Sequence, residues 1–235
     1  MIKKPTNKIG VLGGAGPGAT ANFFSDLVSI CQDKYEARQD TEFPEIFLYN
    51  MPMEGFNETG FADQGLVKNQ LINGVQKLEN WGADFIVLPC NTVHFFTKEM
   101  RDSIKIPLIS IIESTVEELK KKNIKTVGIL SSHSTRDLEL YKKAIENENI
   151  KTIVATDEEQ EDLDEIVLQV MAGKQGDNEK EEMNKIINRM QNLGAEAIVL
   201  GCTELPLAIS QKDAVLPFFN TIHILACYTT DEAYK

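Results

Sequence analysis

The segment Asp84-Phe-Ile-Val-Leu-Pro-Cys-Asn-Thr-Val-His94 is the most informative part of the chain, because its pattern returns later as Glu196-Ala-Ile-Val-Leu-Gly-Cys-Thr-Glu204. Each copy follows Gly-Ala, contains Ile-Val-Leu, and has a cysteine two residues after the leucine, Cys90 in the first and Cys202 in the second. The shared register indicates an internal duplication. A short apolar run is typical of a strand buried on both faces of a parallel sheet. Each cysteine is therefore predicted just beyond the carboxyl end of such a strand, where open α/β folds bind ligands.

Strands and helices alternate on either side of these two segments. The first half opens with an apolar run at 9–12 and the second with a matching run at 126–130. Such alternation requires parallel sheets and right-handed crossovers. We therefore predict an α/β protein with two similar parallel-sheet domains, related by the duplication, and an active-site cleft between them. The first domain is assigned to 1–110 and 221–235, and the second to 111–220.

Two local patterns extend this prediction. The apolar run 107–112 is interpreted as the fourth strand of the first half, followed by a helix from Glu113. Pro17, in the glycine-rich turn after the first strand, is suited to a first helical turn, where its missing N–H would have no partner. Small polar residues follow each repeated cysteine and predict that a helix begins there.

The composition narrows the possible partners and location. The chain has 235 residues, of which 42% are hydrophobic, and its formal net charge is −12. That charge, without a basic cluster, argues against nucleic acid and anionic membranes as partners. We find no signal peptide and no apolar stretch of the roughly 20 residues needed to span a bilayer, so we expect a cytoplasmic protein. The four cysteines do not form a disulfide framework.

The repeated cysteines are the strongest candidates for chemistry. One cysteine beyond a buried strand is usually inert packing, but recurrence in register favours a shared role for Cys90 and Cys202. A nearby helix N-terminus can lower the pKa of a thiol from about 8.5 toward working pH, as a general base requires. Two thiols on opposite sides of one carbon could move a proton from one face to the other.

Two polar residues near these cysteines are interpreted as supporting groups. His94 lies four residues after Cys90, so on a helix both would share a face. Glu204 follows Cys202 at two residues. We expect His94 and Glu204 to orient or tune the thiols, or to be satisfied polar groups near a cleft. The spacing does not match an established zinc site, and we expect no metal.

The glycine turn permits two interpretations. From Gly14 it loosely matches the dinucleotide-binding fingerprint, which would make the protein an NAD-dependent oxidoreductase. The second strand, however, ends in Tyr49 and Asn50 instead of the acid that would hold a ribose. A glycine turn before a helix also binds carboxylates, and a tight packing turn is a third possibility.

Together these motifs resemble the aspartate/glutamate racemase family of cofactor-independent amino-acid racemases. The resemblance covers nearly the whole chain and rests on four segments, 13–20, 89–94, 128–135 and 201–204. It implies two α/β domains, an amino-acid substrate, no pyridoxal phosphate or other cofactor, and a homodimer. It also implies Cys90 and Cys202 as the two acid/base thiols. The substrate-binding residues that we assign are the following: Gly14, Asn91, Thr92, Thr135 and Thr203.

The chain departs from the family pattern at one position that bears on the substrate. Aspartate-specific members carry an arginine after the second strand, where this chain has Phe56. The resemblance therefore leaves the amino acid open. Hydantoin racemases and maleate isomerases share the broad layout and remain alternatives within the same superfamily. A non-catalytic amino-acid binding protein is a further alternative.

Overall fold

The computed structural model describes residues 4–57, 60–174 and 176–235. Within these residues the chain divides into two compact units. The first is formed by 4–56, 61–114 and 222–235. The second is formed by 115–221, together with Asn57 and Gly60. The chain passes from the first unit to the second within one helix and returns to the first within another.

The first unit is built mainly from strands that alternate with helices. In chain order its elements are β1 (Ile9–Gly13), α1 (Pro17–Tyr35), β2 (Ile46–Asn50), β3 (Phe56–Asn57), β4 (Gly60–Phe61), α2 (Gln64–Asn80), β5 (Phe85–Val87), α3 (Thr97–Asp102), β6 (Leu108–Ile109), the start of α4 (Ile111–Lys121) and most of α10 (Thr221–Ala233). β3 and β4 form a separate two-stranded sheet. α1 begins at Pro17, which confirms the prediction that this proline occupies a first helical turn.

The main sheet of the first unit has the order β2-β1-β5-β6, and its strands are parallel. All residues of β1 and β5 are buried. Their continuous apolar runs predict this, because central strands of a parallel sheet are covered on both faces. β2 lies at the sheet edge and is only partly buried. The carboxyl ends of the parallel strands therefore meet at one edge of the sheet.

The second unit repeats this plan. Its elements are β7 (Thr126–Ser131), α5 (His133–Asp137), α6 (Leu140–Glu146), β8 (Lys151–Val154), α7 (Asp157–Met171), α8 (Asp177–Asn192), β9 (Ala197–Gly201), α9 (Leu205–Ala208) and β10 (Phe218–Asn220). The sheet order is β8-β7-β9-β10, again with parallel pairing. Read in the same direction, β7, β8, β9 and β10 take the places of β1, β2, β5 and β6. The predicted α/β class with two similar parallel-sheet domains is therefore confirmed.

Two local predictions differ from the structure. The run 107–112 is not one strand, because β6 ends at Ile109 and α4 begins at Ile111. The residues that follow Cys90 form a five-residue 3₁₀ helix, Thr92–Phe96, before α3. The difference at 107–112 arises because a short apolar run does not by itself distinguish a buried strand from a buried helix start. After Cys90 a helical segment does begin as predicted, but its first turns are 3₁₀.

Candidate active site

Cys90 lies beyond the end of β5 in the first unit, in an apolar setting. Only 9% of the residue is exposed. It belongs to a buried cluster with Leu12, Met51, Leu88 and Val93, whose members come from several elements of the unit. Asn91 and Thr92, which follow it, are also buried. The sequence places a thiol, an amide and a hydroxyl one after another at the carboxyl edge of the sheet, where ligands bind in folds of this class.

His94 holds the Cys90 segment to the start of α4. Its Nδ1 lies 2.8 Å from the Cys90 carbonyl oxygen, and the Ile111 amide donates to Nε2 across 3.3 Å. A carbonyl can only accept and an amide can only donate, so the ring is the neutral tautomer with its proton on Nδ1. Burial lowers the pKa of His94 to about 4, which keeps the ring neutral at neutral pH. Both ring nitrogens are engaged, so His94 acts here as a positioning group.

Gly14 lies in the turn after β1. Its φ of 103° favours glycine, and a Cβ there would lie 2.0 Å from the Met51 carbonyl oxygen. Its amide donates to Thr20 Oγ1 across 3.1 Å. The turn is thus packed against Met51, which follows β2. The Gly14 amide already has an acceptor within the protein. The neighbouring Ala15 packs against the cluster that contains Cys90.

Cys202 lies directly after β9 in the second unit, next to a buried carboxylate. The Cys202 thiol donates to Glu204 Oε2 across 3.2 Å, and Thr203 Oγ1 donates to the same oxygen across 2.9 Å. All three residues are at most 6% exposed. The turn therefore gathers a thiol, a hydroxyl and a carboxylate into one contact group, and the S–H···O contact orients the Cys202 proton toward Glu204.

Thr135 lies in α5, at the edge where β7 ends. It is buried, and Ser132 Oγ donates to its hydroxyl across 3.2 Å. A cavity of about 320 Å³ lies beside it in the second unit. The residues that line the cavity include both hydroxyl and charged side chains: Ser131, Thr135, Arg136, Tyr141, Lys142 and Gln160. The cavity occupies the carboxyl edge of β7 and β8, a usual place for a ligand in this type of sheet.

Two residues of α7 that the sequence analysis did not single out support this edge. Gln160 donates from Nε2 to the Ser131 carbonyl across 3.0 Å and to Asp164 Oδ1 across 2.8 Å. Asp164 in turn accepts from the His133 amide, at 3.1 Å. Gln160 and Asp164 are four residues apart, so they share a face of α7, and that spacing was the available signal. Its target on β7 and α5 could not be read from the sequence.

The predicted site residues therefore form two sets, each at the carboxyl edge of its own sheet. The first unit brings together Cys90, Asn91, Thr92 and His94, with Gly14 in the neighbouring turn. The second unit contains Cys202, Thr203, Glu204 and Thr135. Among the residues that the structure describes, no group of three His, Cys, Asp or Glu side chains is placed to hold a metal, and no helix is long and apolar enough to cross a membrane.

Fold and site together define an α/β protein of two duplicated units, each with a buried cysteine beyond the same strand of its sheet. Chains with this sequence pattern form a known family. Residues 12–229 match the model of the Asp/Glu/Hydantoin racemase family, and the chain belongs to it. The protein is accordingly an enzyme of the isomerase class, and the resemblance predicted from its motifs is confirmed.

Individual relatives support the same assignment. A broad specificity amino-acid racemase, RacX, of Bacillus subtilis (strain 168) is 26% identical over 218 residues, which are 93% of this chain and 94% of the relative. The crystal structure of an aspartate racemase homologue from Pyrococcus horikoshii OT3 is 29% identical, with a TM-score of 0.84, and the match covers 98% of this chain and all of that one. Picrophilus torridus aspartate racemase is 30% identical, with a TM-score of 0.82 and coverage of 96% and 94%.

Proposed function

We propose that this protein is an amino-acid racemase that works without a cofactor and uses Cys90 and Cys202 as its acid/base pair. The observation that carries the proposal is the recurrence of a buried cysteine beyond the equivalent strands β5 and β9. One inert cysteine at such a place would need no explanation. Two in register, in a chain of a racemase family, are best explained by a shared reaction.

In the proposed reaction a thiolate removes the α-proton of the amino acid, and the other thiol delivers a proton to the opposite face of the carbon. The S–Hα bond forms as the Cα–H bond breaks, and the second S–H bond then breaks as the new Cα–H bond forms. Each cycle inverts the carbon and exchanges the charge states of the two sulfurs. The two thiols titrate as a coupled pair.

The hydrogen bond of Cys202 to Glu204 supports different protonation states for the two cysteines before the first reaction cycle. An S–H that donates to a carboxylate at 3.2 Å is favoured over a thiolate facing the same negative charge. We therefore assign Cys202 as the proton donor and Cys90 as the base in the first half of a cycle. Substrate of the opposite chirality requires the reverse charge state, which is reached after one turnover.

The thiols alone do not lower the barrier enough, because an α-proton is a weak acid. Fixed donors around the substrate carboxylate must stabilise the negative charge that develops in the transition state. We assign this role to the buried side chains at the two strand ends: Asn91, Thr92, Thr135 and Thr203. The Gly14 amide already donates to Thr20, so any part that Gly14 plays in binding would come through the shape of the turn.

Replacement of the cysteines tests the proposal. Cys90→Ser and Cys202→Ser should each lower racemisation by about a thousandfold or more, since a hydroxyl is a far weaker acid than a thiol, and a positioned acid or base contributes roughly 10²–10⁴ in rate. Chiral chromatography in deuterated buffer measures both inversion and deuterium uptake at the α-carbon. The control is Cys227→Ser, which changes a partly exposed thiol of α10 and should leave the rate unchanged.

A Cys202→Ser protein that folds and still inverts its substrate near the original rate would contradict the two-thiol mechanism. The same assay with 5-substituted hydantoins and with maleate separates the alternatives inside the superfamily. A titration with NAD followed by fluorescence tests the oxidoreductase alternative. The engaged Gly14 amide makes that alternative weaker, because this donor is not left for a pyrophosphate.

We further propose, from the family resemblance, that the enzyme is a cytoplasmic homodimer that acts on a free amino acid. A chain with four cysteines that form no disulfide framework suits a reducing compartment. Sedimentation analysis at micromolar concentration tests the oligomeric state, and a monomer there would contradict it.

A further inference from the structure

The wall of the first unit around Cys90 is apolar and partly aromatic. Met53, Phe56 and Phe61 are partly buried and pack against the cluster to which Cys90 belongs. Phe61 is central, because its ring centroid lies 5.3 Å from that of Phe56, 5.9 Å from that of Phe95 and 5.1 Å from that of Phe96. We call Phe56, Phe61, Phe95 and Phe96 the phenylalanine cluster.

The phenylalanine cluster retains exposed surface. Phe95 is 41% exposed, and Phe56 and Phe61 have intermediate burial, whereas Phe96 is buried. Single exposed apolar residues are ordinary, but contiguous ones at the ligand-binding edge of a sheet are typical of a binding surface. Phe56 and Phe61 lie in β3 and β4, which follow β2, and Phe95 and Phe96 lie in the 3₁₀ helix that follows β5. Both segments follow strand ends at the edge that presents Cys90.

Within the residues that the structure describes, the first unit offers no cation at this edge that could bind the side-chain carboxylate (the distal carboxylate) of aspartate or glutamate. The described segments that follow the four strands are 14–16, 51–57 with 60–63, 88–96 and Ser110, and these residues include no lysine or arginine. Their acidic residues are Glu54 and Asp63. His94 is neutral there, because its pKa is lowered to about 4. A second carboxylate would meet apolar rings and negative charge on this side, at a cost in desolvation.

Cations at the equivalent edge of the second unit already carry partners. Arg136 pairs with Asp157, and His133 lies 3.1 Å from both Asp137 and Asp164. Lys142 pairs with Glu139 at 3.0 Å. A distal carboxylate bound there would share each cation with a carboxylate of the protein, which partly neutralises the charge that would attract it.

We propose that the substrate is an amino acid with an uncharged, apolar side chain, which contacts the phenylalanine cluster, and that it is neither aspartate nor glutamate. The inference rests on the proposed racemisation and names its substrate class. The α-carboxylate would still be held by the hydroxyl and amide donors assigned above, because it is common to all amino acids.

The test compares substrates of matched shape and different charge. Leucine, asparagine and aspartate share the same branching at Cγ, so their relative kcat/KM values isolate the effect of charge and polarity. Exchange of the α-proton in deuterated buffer is measured by NMR for each, together with methionine, phenylalanine and glutamate. We expect leucine, methionine or phenylalanine to exceed aspartate and glutamate by at least tenfold.

The outcomes separate this inference from the proposed function. If aspartate or glutamate has the highest kcat/KM, the substrate class is wrong and the racemase proposal stands. If no amino acid exchanges its α-proton, both are overturned.

A charge placed in the cluster gives a second readout. Phe56→Arg should raise the ratio of kcat/KM for aspartate to that for leucine by tenfold or more. Phe24→Arg is the matched control: this ring is 42% exposed on α1, outside the cluster, and the ratio should not change. Phe95→Arg serves if Phe56→Arg fails to fold. A folded cluster variant with an unchanged ratio would overturn the assignment of the cluster to the substrate side chain.

Discussion

Glu204 has two donors on one carboxylate oxygen, from the Cys202 thiol and the Thr203 hydroxyl. At the level of single residues, this contact group distinguishes the second strand end from the first. Cys90 is surrounded mainly by apolar side chains, and its carbonyl is held by His94. The Glu204 carboxylate favours the protonated thiol at Cys202. Apolar surroundings do not favour a thiolate at Cys90, so the assignment of Cys202 as the starting acid rests on the Cys202–Glu204 contact.

Glu204→Gln isolates the charge of this group. The amide oxygen can still accept a hydrogen bond, but the negative charge that favours the protonated Cys202 thiol is lost. We expect kcat to fall by about tenfold to a hundredfold, within the range that positioned acid/base groups contribute. Steady-state racemisation in both directions measures kcat and KM for each enantiomer. Because the starting charge state is altered, kcat should change unequally in the two directions, with KM changing to match, since kcat/KM must stay equal for two enantiomers. Equal losses in both directions would contradict the assigned asymmetry.

Among the elements, the connection between the β5 end and α4 depends on one side chain. His94 bridges the Cys90 carbonyl and the Ile111 amide, which are both buried backbone groups. A buried backbone group left without a partner costs roughly 1–3 kcal/mol. His94→Ala should therefore lower the free energy of unfolding by about 2–5 kcal/mol, as urea denaturation at pH 7 would measure.

The same histidine predicts a pH dependence. The pKa of His94 is about 4 in the folded protein, below the 6.5 of a free side chain. Between pH 4 and pH 6.5 the unfolded state therefore binds a proton that the folded state does not. The contribution of His94 to the free energy of unfolding is fully present above pH 6.5 and is lost as pH falls toward 4. The size is roughly 3 kcal/mol at about 1.4 kcal/mol per pKa unit. In His94→Ala, the loss of stability between pH 7 and pH 4.5 should be smaller than in the wild type.

His223 offers a control of opposite sign. Its hydrogen bond to Asp26, at 3.1 Å, raises its pKa to about 10. This group stabilises the fold fully below pH 6.5, and the contribution is lost as pH rises toward 10. His223→Gln should therefore flatten the alkaline side of the stability profile and leave the acidic side unchanged. Identical profiles for both variants would contradict the assignment to His94.

On the scale of the whole molecule, the first unit joins the segment that begins at Lys4 to the segment 222–235. The Thr6 and Asn7 amides donate to the Ala233 carbonyl near the end of α10, at 2.8 and 3.1 Å. Tyr234 is fully buried, its ring stacks on Tyr35 at 3.8 Å between centroids, and its hydroxyl donates to the Glu42 carbonyl. The last residues of the chain are thus part of the core of its first unit.

Removal of the Tyr234 side chain tests this closure. Tyr234→Ala leaves a cavity in the core and should cost about 3–5 kcal/mol of unfolding free energy, as for other large aromatic side chains. Tyr234→Phe keeps the ring and should cost about 1 kcal/mol for the lost hydrogen bond. Lys235→Ala changes an exposed neighbour and should stay within about 0.5 kcal/mol. A Tyr234→Ala protein as stable as the Lys235→Ala control would contradict the structural role of the chain end.

Much of the fold could be predicted because the relevant signals are local and repeated. The Ile-Val-Leu runs are long enough to mark buried strands, and their recurrence with Cys90 and Cys202 reveals the duplication. The prediction was wrong at 107–112, where Ile111 and Ile112 are buried in α4 and not in a strand. Burial on either element requires the same residue type, so the sequence there carries no distinguishing period.

The periodicity of neighbouring residues was enough to predict the α/β class, the two-unit plan and a cysteine beyond each repeated strand. The surroundings of the two thiols, in contrast, are set by how the chain folds. Folding brings Glu204 onto the Cys202 sulfur, the Ile111 amide onto His94, and rings from β3, β4 and the 3₁₀ helix after Cys90 into the phenylalanine cluster. Such contacts depend on turn geometry and on the approach of distant segments, and local periodicity does not encode either.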